Sequence, residues 1–245
     1  MIEDLISLKL KFEKIKKMGW IESMRNGTTG IGYTFERLLG KPEESFPIPD
    51  YRSIEIKTRY RNAKRDITLF NATPDGDFLF PMKRIYENYG IEDSKYKNCK
   101  KFYASISTKP KYAGKNHRFK LKIDKENEVI KVIAIDKTNK QTDINVSWSF
   151  NFLKEKIERK IKYLALVKAD CTCNIELQFF HYYEITFYML RSFNKFVELI
   201  EEGIIKTTFM IGFYKSGPKY SEMNNHGVGF DIAEEDLDKL FYKVC

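Results

Sequence analysis

Apolar residues recur along this chain at two different spacings, and the order in which the spacings alternate limits the folds open to it. Leu5, Leu8, Phe12 and Ile15 share one helical face over Glu3 to Met18, and Ile31, Phe35, Leu38 and Leu39 repeat that spacing over Ile31 to Leu39. Gly40-Lys41-Pro42 stops the second helix. After a Pro47-Ile48-Pro49-Asp50 lead-in come the β-type runs Ser53 to Arg59 and Asp66 to Asn71. Phe102 to Thr108, Phe119 to Ile123 and Val129 to Ile135 read as further strands, with a hairpin across Asp124 to Glu128. A charged helix is predicted over Phe152 to Ile161 and a buried strand over Tyr163 to Ala169. The longest helix is expected over Glu184 to Ile200, where Ile185, Tyr188, Met189, Phe193, Phe196 and Ile200 fall at helical spacing. Strand Ile204 to Phe213, a loop holding Gly217-Pro218, strand Val228 to Ile232 and a helix carrying Leu237, Leu240, Phe241 and Val244 close the chain. Strict βαβ alternation is absent, so the expected class is α/β or α+β, with a mixed β-sheet core flanked by helices.

Composition decides which partners suit such a fold. With 245 residues, 42% of them hydrophobic and 15% aromatic, the chain can bury a sizeable core as one large domain or two small lobes. It contains no run of about 18 apolar residues, and Met1-Ile2-Glu3-Asp4 lacks a basic-then-apolar leader, so a cytoplasmic protein without membrane contact is expected. Cys171 and Cys173 flank one residue rather than two, with no histidine at ligand spacing, which argues against zinc. The net charge is +9, from 43 Lys and Arg against 34 Asp and Glu. Ten of the basic residues lie between Lys95 and Lys122, with no acidic residue among them and with Tyr96, Phe102, Tyr103, Tyr112 and Phe119 interleaved. The segment reads either as a phosphate-binding surface or as a solvated basic loop.

The chemistry concentrates upstream of that run. Glu55 and Lys57 are two apart on a strand and point the same way, while Asp50 at the end of the preceding segment can fold back to meet Glu55. Two converging carboxylates need a cation between them, and hard oxygen ligands suit Mg²⁺. A neighbouring lysine can orient or deprotonate water and stabilise charge on a phosphate. Spacing alone leaves a second reading open, in which Ile54 and Ile56 are buried and Glu55 and Lys57 are ordinary residues of a solvent face. Glu36 closes the helix just before the segment, and Arg52, Arg59, Arg61, Lys64 and Arg65 add positive charge around it.

Two stretches carry a resemblance. Asn26-Gly-Thr-Thr-Gly-Ile-Gly-Tyr-Thr-Phe-Glu36-Arg-Leu-Leu-Gly40 followed by Ile48-Pro-Asp50-Tyr-Arg-Ser-Ile-Glu55-Ile-Lys57-Thr-Arg59 resembles the MvaI/BcnI restriction endonucleases, relatives of the mismatch-repair nicking enzyme MutH within the PD-(D/E)XK nuclease superfamily. Glu202-Gly203-Ile204-Ile205 and Asn225-His226-Gly227-Val228-Gly229-Phe230 resemble the family's closing pattern, although Asp231 stands where a basic residue is expected in relatives. The resemblance implies a restriction-endonuclease-like fold whose two lobes form a DNA-binding cleft, residues 1–155 being mainly catalytic and 156–245 mainly concerned with recognition. It implies a type II restriction endonuclease that hydrolyses double-stranded DNA at specific sequences with Mg²⁺, acts as a monomer and has a cognate methyltransferase as its genetic partner. Asp50 and Glu55 become metal ligands, Lys57 the catalytic lysine and Glu36 a supporting acid, with Arg59, Arg61, Lys215, Lys219 and His226 expected to contact DNA.

Two other functions remain compatible with the sequence: a MutH-like repair nickase that works with a recruiting partner, and a nucleic-acid-binding module without catalysis that rests on charge alone. Among the remaining residues, His117 reads as a phosphate contact or surface residue and His181 as structural. Gly30-Ile31-Gly32 lacks both the preceding strand and the third glycine of a dinucleotide motif. Trp20 and Trp148 read as core or interface anchors rather than base-stacking residues.

Overall fold

The structure is a computed structural model that describes residues 2–40, 49–75, 80–174 and 177–244. Lys41-Pro42, Pro47-Ile48 and Cys245 lie outside the described residues. The chain divides into two compact units. One comprises Met1–Arg65, Ile157–Ser192 and Leu237–Cys245, and the other Asp66–Lys156 and Phe193–Asp236.

In the first unit the two N-terminal helices form as their apolar spacing requires. Ile2–Lys17 buries Leu8, Phe12 and Ile15, and Gly30–Leu38 buries Ile31 and Phe35. Gly40, at φ 84°, takes the left-handed conformation that stops the second helix, and its N–H donates to the Arg37 carbonyl at 3.0 Å. These side chains share a core with Ile54, Ile56, Ala165, Val167, Phe180, Tyr182 and Phe187 from a sheet. Its strands run in the order Ile21–Glu22, Gln178–Leu190, Tyr163–Cys173, Ile54–Tyr60, and Phe241–Val244 also pairs with Gln178–Leu190. Ile54–Tyr60 lies parallel to Tyr163–Cys173 and the other pairings are antiparallel, which makes the sheet mixed. The Tyr182 hydroxyl is buried and donates to the Ile31 carbonyl at 2.7 Å, tying the second helix to the sheet.

Two predicted helices are corrected here. Residues 184–190 belong to the strand Gln178–Leu190, and the helix starts only at Phe193 and runs to Glu201. Tyr163–Cys173 offers this aromatic and β-branched segment an antiparallel ladder, from Tyr163↔Met189 to Cys173↔Gln178 with a register shift between Lys168 and Ala169. Its helical spacing arose from reading the faces of two different elements as one stripe. The longest helix among the described residues is therefore Ile2–Lys17. At the other end, the closing helix spans only Leu237–Leu240, and Phe241 and Val244 lie on a strand whose register is Leu190↔Phe241 to Phe187↔Val244.

The second unit holds two sheets. One orders Ile67–Asn71, Met223–Ile232, Lys206–Phe213, Lys100–Ile106 and Ile91–Glu92, and the other Lys111–Ala113, His117–Asp124, Val129–Ile135 and Gln141–Ser149. The expected hairpin across Asp124 to Glu128 is present. Ile21–Glu22, Ile91–Glu92, Lys111–Ala113, Gln141–Ser149 and the helix Phe80–Tyr89 are elements that the apolar pattern did not indicate. Trp148 is fully buried, donates through Nε1 to the Ala72 carbonyl at 2.9 Å and packs on Phe230 at 5.4 Å. Trp20, by contrast, is 52% exposed beside His181, so only Trp148 anchors a core. The residues of the basic run lie on Lys100–Ile106 of one sheet, on Lys111–Ala113 and His117–Asp124 of the other and on the connections around them, and Lys101 is paired with Asp93 at 2.9 Å. No helix of the described residues is long and apolar enough to cross a membrane.

Candidate active site

The Asp50 to Lys57 segment is shaped by a two-residue reversal. Tyr51 and Ile54 exchange backbone hydrogen bonds at 2.9 and 2.8 Å, and Arg52 takes φ 52° within the turn. Asp50 is thereby returned to the start of the strand, where its Oδ2 accepts the Ile56 N–H at 3.0 Å. Ile54 and Ile56 face the helical core, while Glu55 and Lys57 alternate to the other side.

That other side is not a solvent face. Glu55 is only 2% exposed, which rules out an ordinary surface strand. Its Oε1 accepts Lys57 Nζ at 2.8 Å and lies 3.7 Å from Lys160 Nζ. Its Oε2 is buried without a hydrogen-bond partner. Burial raises the Glu55 carboxyl above its ordinary value and the nearby Asp50 charge adds to the rise, while Lys57 and Lys160 oppose it. The raised value means that desolvation and repulsion together outweigh both attractions. A cation reaching Oε2 would relieve this imbalance.

The donor chemistry fits a hard divalent ion. The Asp50 and Glu55 carboxylates are oxygen donors of the kind that could hold an ion such as Mg²⁺, which characteristically keeps several waters. Among the described residues no group of three or more His, Cys, Asp or Glu side chains is placed to hold a metal.

Glu36 lies on the Gly30–Leu38 helix, which packs on the opposite face of the strand. A Cβ added to Gly32 would stand 3.9 Å from Glu36 Oε1 and 3.2 Å from Thr58 Oγ1, so the helix approaches the strand closely at this point. Arg59 donates to the Ala63 carbonyl at 2.8 Å. Arg61 grips both Asp170 oxygens at 2.6 Å and stacks on Tyr183, which holds the Asp170 carboxyl below its ordinary range. In the second unit, Lys215 and Lys219 are exposed beside the Gly217-Pro218 turn, with Lys219 over the Tyr214 ring. His226 is exposed on Met223–Ile232, next to Gly212 and the Tyr103 hydroxyl. Asp231 is buried, and its Oδ1 has no hydrogen-bond partner.

Lys160 is the site residue that the sequence did not reveal. It ends the helix Phe150–Lys160, and only the parallel pairing of Tyr163 with Ile54 brings it to Glu55.

A model of the MvaI/BcnI restriction endonuclease family matches residues 9–241. No curated protein sequence matches the chain. Among solved structures, the restriction endonuclease MvaI in complex with its cognate DNA substrate aligns at 32% identity, covering 100% of this chain and 98% of that one with a TM-score of 0.91. MvaI in the absence of DNA aligns at 29% identity with the same coverage and a TM-score of 0.63. With the family model spanning nearly all of its length, and with the expected acidic pair and lysine on one strand and its lead-in turn, this chain belongs to the MvaI/BcnI restriction endonuclease family.

Proposed function

We propose that this restriction endonuclease hydrolyses phosphodiester bonds of double-stranded DNA with Mg²⁺, using Asp50 and Glu55 as metal ligands and Lys57 as the catalytic lysine. The observation that carries this reading is the buried Glu55 carboxylate, with one oxygen held by Lys57 and the other without a partner. Mg²⁺, when bound, would supply Lewis-acid polarisation of the scissile phosphate and lower the pKa of a coordinated water. Asp50 and Glu55 provide the negative charge that attracts the ion. Lys57 orients the attacking water and offsets charge building on the phosphate oxygens. The water oxygen loses a proton to solvent as it forms the new bond to phosphorus, the bond to the leaving oxygen breaks, and that oxygen takes up a proton from solvent.

Glu36 supports the site from the adjoining helix, and Arg59, Arg61, Lys215, Lys219 and His226 contact the DNA. Catalysis lies with the part of the chain that holds Asp50, Glu55 and Lys57, and the part that holds Lys215, Lys219 and His226 contributes recognition. The protein acts as a monomer, and host DNA is protected by a cognate methyltransferase.

Incubating supercoiled plasmid with the protein and Mg²⁺ is expected to give discrete fragments. Lys57→Ala should slow cleavage by about 10²–10⁴-fold. Cleavage by Asp50→Ala or Glu55→Ala at the parent rate would refute the assignment.

A further inference from the structure

The two lysines at Glu55 meet the same oxygen. Lys57 comes from the strand that carries Glu55, and Lys160 from the last residue of the helix Phe150–Lys160. A lone cation could follow the carboxylate as it turns about its terminal bond. Two cations converging on Oε1 from separate elements fix the plane of the group. Both lysines are partly buried, at 23% and 26% side-chain exposure, so neither is a freely waving surface chain. An ion pair serving stability alone would be expected to engage both carboxylate oxygens, because a buried oxygen without a partner is costly. Here Oε2 is left over.

We propose that Lys160 is a positioning residue of the active site, which with Lys57 holds Glu55 Oε1 so that Oε2 is presented to the divalent cation. This rests on the reading of Glu55 as a metal ligand. Lys160 acts through Glu55, in the way that partners of metal ligands set their orientation elsewhere. The arrangement divides the labour: Lys57 serves both carboxylate and substrate, and Lys160 serves the carboxylate alone.

The test compares the parent with Lys160→Met and Lys57→Met. Mn²⁺ binding to the metal-free proteins is measured by titration calorimetry, and plasmid cleavage is followed across a Mg²⁺ series. Lys160→Met is expected to weaken Mn²⁺ binding by about 10–100-fold and to raise the Mg²⁺ concentration for half-maximal cleavage in step. Part of its lost rate should return as Mg²⁺ rises, whereas Lys57→Met should stay slow at every concentration. Parent-like Mn²⁺ affinity in Lys160→Met, with only its melting temperature lowered, would make the pair merely structural and overturn the proposal. Should Lys160→Met not melt cooperatively, Lys160→Arg and Lys160→Gln replace it, with affinity expected to fall in the order parent, Arg, Gln. Equal affinity in the Gln variant and the parent would again overturn it. A parent that binds Mn²⁺ but cuts no DNA refutes the proposed cleavage and leaves the role of Lys160 standing. A parent that binds no Mn²⁺ removes both.

Discussion

Replacing Glu55 with Gln keeps the length and shape of the side chain and removes its charge, which separates what the carboxylate does for folding from what it does for metal. Without metal, the parent buries a carboxyl whose ionisation is opposed by desolvation and by the Asp50 charge more than Lys57 and Lys160 favour it. Because the folded-state value is raised, the folded chain binds a proton at Glu55 more readily than the unfolded chain does. Metal-free stability therefore falls as pH rises from the unfolded-state value, about 4.3, through the higher folded value, and stays low above it. Glu55→Gln lacks this penalty. At pH 8 without metal it should melt at or above the parent temperature, and the two should converge below about pH 4. Divalent ion reverses the order. At ten times its dissociation constant, metal stabilises the parent by about 1.4 kcal/mol. For a chain of this size that is a rise of about 3–6 °C. Differential scanning fluorimetry with Mg²⁺, and with Ca²⁺ as a control, should show this rise for the parent and none for Glu55→Gln. A variant that melts well below the metal-free parent at pH 8, or that keeps the metal-induced rise, would refute the reasoning.

Two further outcomes follow from contacts away from the metal. Tyr182→Phe removes the buried hydroxyl that holds the second helix at Ile31, and it should lower stability by about 1 kcal/mol, seen as a melting shift of roughly 2–4 °C, with cleavage retained. Parent-like melting would mean the bond contributes nothing. Arg61→Ala should weaken DNA binding evenly across sequences and reduce the slope of log affinity against log salt by about 0.9, read by fluorescence anisotropy. An unchanged slope would mean that Asp170 keeps Arg61 from the phosphates.

The sequence revealed what depends on near neighbours. Ile54 and Ile56 alternating with Glu55 and Lys57 predicts the strand and its two faces, and the helices through Phe12 and Phe35 follow from one apolar stripe each. It could not reveal that Glu55 is buried, because Lys160 and the strand Tyr163–Cys173, which meet it, are distant in sequence. Lys160 was hidden for the same reason, since the register Tyr163↔Ile54 is a tertiary fact. The strand Gln178–Leu190 was misread because Ile185, Tyr188 and Met189 happen to run into the genuine helical stripe of Phe193, Phe196 and Ile200. The aromatic and β-branched content was the better signal, and the available ladder decided the outcome.

The unit that holds Asp50, Glu55 and Lys57 is stitched from three separate stretches, the last ending in a strand that clasps Phe187–Leu190. A ribosome making this chain releases both carboxylates and Lys57 long before Lys160 or the strands that complete their sheet. Loop closure over such separations comes late in folding. Asp50, Glu55 and Lys57 therefore reach their folded setting only after Tyr163–Cys173, the strand that pairs with theirs, has been made.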